Sequence, residues 1–514
     1  MTMFLWIVLT AILTFALASL LGKLRRKGRH RPPGPKPLPF IGNAHQIPSK
    51  HEWIKFKEWG DMYGDLAKVE IPGDTLYLVN KREVVNELFE VRSAIYCSRP
   101  NLVMAGLSGW KNSIPTLGYG PRLRKSRMLL KKAMGPAAIR SYYPYINRDV
   151  PFFLQNLLRT PERFTEHFTR GAARIALKIA YGYEGVTEDE QIIQNGTRAM
   201  QVFSATVAPG AWAVDTFPLL RYLPSWFPFA SFQKFAERGK KITDEARNVP
   251  FYEVKKRVES GTADGSFTSM MLQTEKSDPE TENIITWAAF GIFTGQFDTT
   301  TAALSWFTIA MAKYPDVQKK AQAEIDRVVG KARLPEVADR ESLPYVWAVM
   351  QEVFRWHPTI TMSPRTAIQD DEYHGYFIPA ETTIIANFWA ILHDESVYHD
   401  ADKFIPERFC DEGAPDSLSV AFGFGRRICP GILIAHPHVF VTIASILATF
   451  DISKARDDAG NVIEPGEDAT SGAINFPKPF KVSITPRSSE AVELIRKSVE
   501  HSKTLPDRLE IFSM

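Results

Sequence analysis

Apolar positions recur every three to four residues along most of the chain. That spacing predicts helices over Lys81–Val91, Arg122–Met134, Arg163–Ala180, Ala236–Glu259, Asn283–Met311, Val317–Val329, Tyr345–Trp356 and Ile432–Phe450. Short alternating stretches at Leu66–Ile71 and Thr75–Val79 predict strands. The pattern as a whole is mainly α with minor β. Two proline- and aromatic-rich stretches, Cys97–Gly120 and Ala208–Phe232, interrupt the periodicity. They read as loops or short helices at the walls or mouth of an apolar pocket, although ordinary core aromatics explain them equally well residue by residue.

Met3–Leu21 carries no charge and no proline, and as a helix it spans about 28 Å, close to the thickness of a bilayer core. Its eleven Leu, Ile, Val and Phe residues favour insertion by about 3–6 kcal/mol together. A cleaved signal would carry its basic charge before the apolar run, whereas here Lys23, Arg25, Arg26, Lys27, Arg29 and Arg31 follow it. The expectation is one membrane anchor over residues 1–22, its tip in the lumen and the rest cytosolic. Residues 23–39 are basic and then proline-rich, which predicts a stiff extended connector. A catalytic body over 40–486 and a peripheral polar tail over 487–514 complete the expected division.

The net charge of +4 comes from the stretch after the anchor, since without those six residues the chain is at −2, which is not a nucleic-acid-binding balance. Three cysteines, Cys97, Cys410 and Cys429, cannot build a disulfide framework and suit a reducing compartment.

Cys429 stands in a glycine-rich loop, Phe422-Gly423-Phe424-Gly425-Arg426-Arg427-Ile428-Cys429-Pro430-Gly431, just before an apolar helix. Backbone amides and a helix amino terminus stabilise a thiolate there, which can act as nucleophile or metal ligand. A phosphatase-type nucleophile needs an arginine six residues on, where Ala435 stands, and no second cysteine lies near enough for a redox pair or a zinc site. A single thiolate on a metal held mostly by something else remains, and haem is such a case.

Phe422, Gly425, Arg427, Cys429 and Gly431 meet the Phe-x-x-Gly-x-Arg-x-Cys-x-Gly signature, and the chain from about Pro32 to Pro486 resembles the cytochromes P450, in particular the fungal microsomal branch. Glu352-Val353-Phe354-Arg355 resembles the family's Glu-x-x-Arg element, and Arg408 in Pro406-Glu407-Arg408-Phe409 its second arginine on the same carboxylate. Asp298 and Thr299, within Gly295–Thr300, resemble the acid–alcohol pair on the oxygen side of the haem. Arg127, Arg365 and Arg427 match positions that pair with haem propionates.

The resemblance implies a single P450-type domain behind one transmembrane helix, with haem b held by the Cys429 thiolate. It implies a monooxygenase of the endoplasmic reticulum membrane that oxidises a small hydrophobic molecule, for example a terpenoid, sterol or polycyclic aromatic. Electrons would come from NADPH-cytochrome P450 reductase, with cytochrome b5 as a second donor, because Gly423-Phe424-Gly425 is followed by Ile428 rather than a third glycine and no nicotinamide fingerprint results. Arg122, Arg124, Lys125, Arg127, Lys131 and Lys132 offer a basic docking face, or merely a solvated one. An oxygen-independent haem-thiolate isomerase or dehydratase is the competing enzyme class, which turnover without NADPH would mark. A non-catalytic haem-binding membrane protein is the third.

Four departures stand out. Leu123 replaces the usual tryptophan, which predicts weaker haem retention. Gln296 replaces the usual glycine and is expected to add bulk beside the dioxygen site. Ser363-Pro364-Arg365 stands for proline-histidine-arginine, and Pro437 should bend or break the helix after Cys429.

Overall fold

The computed structural model describes residues 29–183, 189–227, 230–410 and 415–505. The expected anchor at Met3–Leu21 lies outside them. In chain order the elements that matter here begin with α1 (Glu52–Tyr63), β1 (Leu66–Ile71), β2 (Asp74–Val79), α2 (Arg82–Asn86) and α3 (Val103–Leu107). Next come α4 (Pro121–Met134), α5 (Tyr143–Arg159), α6 (Phe164–Tyr181), α7 (Asp189–Val207) and α8 (Ser231–Glu259). The carboxyl-terminal half holds α9 (Pro279–Lys313), α10 (Pro315–Val328), α11 (Pro344–Trp356), β3 (Met362–Thr366), β4 (Thr383–Asn387), α12 (Ile432–Thr449), β5 (Phe450–Arg456), β6 (Val482–Pro486) and α13 (Ser489–Thr504).

The fold is mainly helical with minor strands, and its axis is α9. Asp278 caps this helix by accepting from the Thr281 amide at 3.0 Å, Pro279 occupies the first turn, and Glu280 and Glu282 face the positive end of its dipole. From Ile284 to Ala312 most of its side chains are buried, as expected of a helix apolar on every side. It packs on α6, α4, α11 and α12. Helix α11 begins where Glu324 of α10 accepts from the Tyr345 and Val346 amides at 3.0 Å each, so one helix caps the next.

Beside this helical body lies a four-stranded sheet in the order β1-β2-β4-β3. β1 and β2 form an antiparallel hairpin, β2 runs parallel to β4, and β3 returns antiparallel with Met362 opposite Asn387. The proline-rich connector is docked along the hairpin. The Lys68 amide donates to the Pro33 carbonyl at 2.8 Å, and a side chain at Gly34 would meet the Lys68 carbonyl at 1.8 Å.

Two expectations are corrected here. The tail is not peripheral throughout: Ser488 caps α13, whose Ala491, Ile495 and Val499 are buried against the body, and Arg487 forms a bidentate pair with Asp326. Three apolar residues at four-residue spacing are enough to dock it. Pro437 does not break α12, which runs unbroken from Ile432 to Thr449. This is also the one helix among the described residues long and apolar enough to cross a membrane, yet most of it is buried in the protein.

Candidate active site

The cysteine loop is shaped by positions that only glycine tolerates. Gly423 and Gly425 have φ of +76° and +50°, and a Cβ at Gly425 would stand 2.1 Å from the Phe89 carbonyl. The Cys429 amide donates to the Phe422 carbonyl at 2.8 Å and closes the loop. The Gly431 and Ile432 amides at the start of α12 are the backbone donors beside the Cys429 sulfur. Burial pushes the thiol above its ordinary range, while the Gly431 amide, the Arg127 charge and the Ile432 amide oppose that push. A coordinated metal ion would remove the proton outright. A side chain on Gly431 would come within 3.9 Å of the sulfur.

On α9, Gly291 and Gly295 are exposed although Ile292, Phe293, Thr294, Gln296 and Phe297 around them are buried. A Cβ on either glycine would meet nothing within 4 Å. Thr299, one helical turn further, is half-buried, so this face of a core helix looks onto open space. Thr299 Oγ1 donates back to the Gly295 carbonyl at 2.8 Å. Asp298 makes no hydrogen bond or ion pair among the described residues, and burial pushes its carboxyl up to about 7.

Four arginines gather with no carboxylate partner among the described residues. Arg365 donates Nη2 to the Phe424 carbonyl at 2.6 Å, while its Nε and Nη1 are buried without a partner. Arg99 donates Nη1 to the Pro364 carbonyl and to Ser363 Oγ, and its Nε is likewise orphaned. Arg127 makes no hydrogen bond, and its burial lowers its pKa. Arg427 differs: its Nε, Nη1 and Nη2 donate to the carbonyls of Cys97, Ile114 and Leu117, which ties the 97–117 segment to the cysteine loop. Burial and mutual repulsion lower Arg365 and Arg427 to about 9, and burial lowers Arg99 to about 10. Arg99 was missed in the sequence because nothing local distinguishes it; its meaning comes from Ser363 and Pro364, more than 260 residues away.

The residues present fit a haem. Orphaned guanidinium donors would answer two propionates, the Cys429 sulfur would supply a thiolate ligand to the iron, and the bare glycine backbone of α9 would leave room for the group.

Glu352, Arg355 and Arg408 are brought together. Arg355 grips Glu352 through Nε and Nη2 at 2.7 and 2.9 Å, and Arg408 Nε reaches the same carboxylate at 3.2 Å. The Ile405 amide donates to it at 2.7 Å, while Arg355 also donates to the carbonyls of Leu392, Ala401 and Lys403. Glu352 and Arg355 are wholly buried, so every charge in this network is matched inside the protein.

Leu123 is buried on the inner face of α4. Gln296 turns away from the open face, and its Nε2 donates to His438 Nδ1 of α12 at 3.4 Å, so it does not fill the space beside Gly295. The basic face of α4 is smaller than expected, because Arg122 pairs with Glu280, Lys132 pairs with Glu275, and Lys125 donates to Thr281. Arg124 and Lys131 remain exposed.

Residues 32–484 match the family model described as Cytochrome P450. The chain is 41% identical over 486 residues to "Cytochrome P450 monooxygenase claR" of Ampulloclitocybe clavipes, covering 93% of this chain and 90% of that protein. It is 39% identical to "Cytochrome P450 monooxygenase 208" of Postia placenta, over 94% of this chain and 96% of that one. With "Cytochrome P450 monooxygenase ppsD" of Aspergillus oryzae it shares 36% over 92% of each.

Proposed function

This chain belongs to the cytochrome P450 family, and from that premise we propose a membrane-anchored monooxygenase in which Cys429 ligates the haem and the substrate is a small hydrophobic molecule such as a terpenoid, sterol or polycyclic aromatic. The observation that carries the assignment of Cys429 is its place beside the backbone amides at the head of α12, in a loop that turns on Gly423 and Gly425 at positive φ.

When bound, the haem supplies an oxidant made from dioxygen, two electrons and two protons, so that one oxygen atom enters the substrate and the other leaves as water. The chain's own share is holding, orienting and proton transfer. Arg99, Arg127 and Arg365 offer N–H groups to the propionates, Arg427 braces the loop, and Phe422, Gly425 and Gly431 give the loop its shape. The Glu352, Arg355 and Arg408 network fixes the segments beneath it. Asp298, poised at about 7, holds a proton at neutral pH and passes it to Thr299 Oγ1, which releases the Gly295 carbonyl to hand it on. Above α9, Trp110 packs on Phe203, Phe290 and Trp287 with centroids 4.8, 5.5 and 5.9 Å apart, an aromatic wall suited to an apolar substrate.

The division proposed is an anchor over 1–22, a connector over 23–39, a catalytic domain over 40–486 and a tail over 487–514, with the body on the cytosolic side of the endoplasmic reticulum membrane. An apolar end of the molecule supports that attitude. Phe40, Leu219, Tyr222 and Trp226 are 88, 73, 70 and 79% exposed. The β1–β2 hairpin joins their segments: Glu70 of β1 bonds Asn43, three residues after Phe40, and a Cβ on Gly73 in the turn would stand 3.2 Å from the Thr216 carbonyl. Such a patch beside the connector suits a lipid surface. Electrons would come from NADPH-cytochrome P450 reductase, with cytochrome b5 as a second donor, docking near Arg124 and Lys131.

The test is expression with a fungal reductase and NADPH against a panel of hydrophobic compounds, with products identified by mass spectrometry. The expected result is an NADPH-dependent product carrying one added oxygen atom, abolished in Cys429→Ala. Turnover that needs no NADPH would overturn the monooxygenase reading.

A further inference from the structure

Gln296 and His438 lie 142 residues apart in sequence, on α9 and α12, and meet in the core through Gln296 Nε2 and His438 Nδ1. Both are more than nine-tenths buried. Burial lowers His438 to about 4, so it is a neutral acceptor at physiological pH. The Gln296 carbonyl oxygen is buried with no partner.

The position of the pair gives it meaning. His438 is nine residues after Cys429, on the helix that the cysteine loop feeds. Gln296 directly follows Gly295, whose carbonyl receives the Thr299 hydroxyl, and comes two residues before Asp298. Their bond therefore joins the helix behind the sulfur to the turn that carries the acid and the alcohol. Pro437, next to His438, has no N–H to give the α12 ladder, which leaves the backbone there less tightly held than in an ordinary helix. On its other side His438 lines a cavity of about 10 Å³, shared with Asp149, Phe153, Leu304 and Thr442, with room for about one water. Asp149 is itself paired with Arg174.

A half-satisfied polar pair in a core is worse for stability than two apolar side chains of similar size. Stability is therefore a poor account of this contact. We propose that Gln296 and His438 are positioning residues for proton delivery: the bond sets the register of the Gly295–Thr299 turn against α12, and with it where Asp298 and Thr299 point. This rests on the proposed function of that turn. When protons arrive at the wrong place or time, dioxygen, two electrons and two protons leave as hydrogen peroxide instead of serving oxygen insertion.

Gln296→Leu, His438→Leu, the double variant and His438→Gln test this in the haem-loaded protein with reductase. The readouts are the ratio of product to peroxide, thermal unfolding, and deuterium exchange of the 290–300 peptide. Either leucine variant should lower the product-to-peroxide ratio roughly tenfold. The double variant should be no worse than either single one and at least as thermostable as the wild type. Exchange in the 290–300 peptide should speed up in all three. His438→Gln, which keeps an acceptor for the Gln296 amide, should restore most of the coupling. Unchanged ratio and exchange in both single variants would overturn the proposal, as would multiplicative losses in the double variant. If the wild type gave no thiolate spectrum, the proposed function would fall, and the exchange data would still decide whether the pair positions the turn.

Discussion

The two sides of the site are built on opposite principles. In the α11 network, Glu352 and Arg355 are wholly buried and every charge has its partner, with Arg408, Ile405 and three backbone carbonyls completing the set. On α9, Asp298 has no partner among the described residues, Thr299 bonds only its own helix, and Gly291 and Gly295 face open space. A saturated network holds one geometry because any departure strands a charge in low dielectric. An unsaturated face can change protonation state and accept a guest. On the proposed function, the contrast separates residues that hold the site from residues that work in it.

The largest effect should come from breaking the saturated side. Glu352→Ala strands two guanidiniums, one wholly buried, and should cost about 3–5 kcal/mol, so that chemical denaturation shows an unstable or unfolded protein. A stably folded variant would remove the distinction between the two sides.

On the working side, Asp298→Asn should leave the fold intact and lower turnover roughly a hundredfold. The pH dependence has a definite sign. The folded protein keeps the Asp298 proton up to about pH 7, whereas the unfolded chain releases it near 3.8. This group's contribution therefore favours folding most at low pH, and that contribution fades as pH rises through this window to about 7. Wild-type turnover should fall as pH rises through about 7, and the asparagine variant should lose both that inflection and the matching slope of stability against pH.

Arg365→Leu removes two orphaned donors and a cation that Arg99 and Arg427 repel, so it should hasten haem loss, followed by transfer to apomyoglobin, with little change in unfolding of the apoprotein. The smallest effect belongs to Gly291→Ala. Its Cβ meets nothing, so helix propensity should raise stability by up to about 1 kcal/mol while the substrate range narrows. A loss of stability would mean that the space beside α9 is closed.

Much of this was legible in the chain because the signals are local. The cysteine loop, the Glu352–Arg355 spacing and eight helices carry local signals, and the observed helix bounds fall within a few residues of expectation for all but Ala236–Glu259, which begins at Ser231, and Lys81–Val91, whose α-helix ends at Asn86 and continues to Val91 as a wider turn. What was missed depends on long-range partners. Arg99 acquires its role from Ser363 and Pro364, Gln296 from His438, and the basic face of α4 loses two charges to Glu275 and Glu280. Helix α13 escaped notice because Ala491, Ile495 and Val499 are a thin apolar stripe in a polar sequence.

The central claim, that Cys429 supplies the sulfur, is tested most directly by the absorption spectrum of the dithionite-reduced protein under carbon monoxide. The account predicts a strongly red-shifted Soret band in the wild type that Cys429→His replaces with the band of nitrogen ligation. A wild type lacking that band, or a variant retaining it, would contradict the assignment.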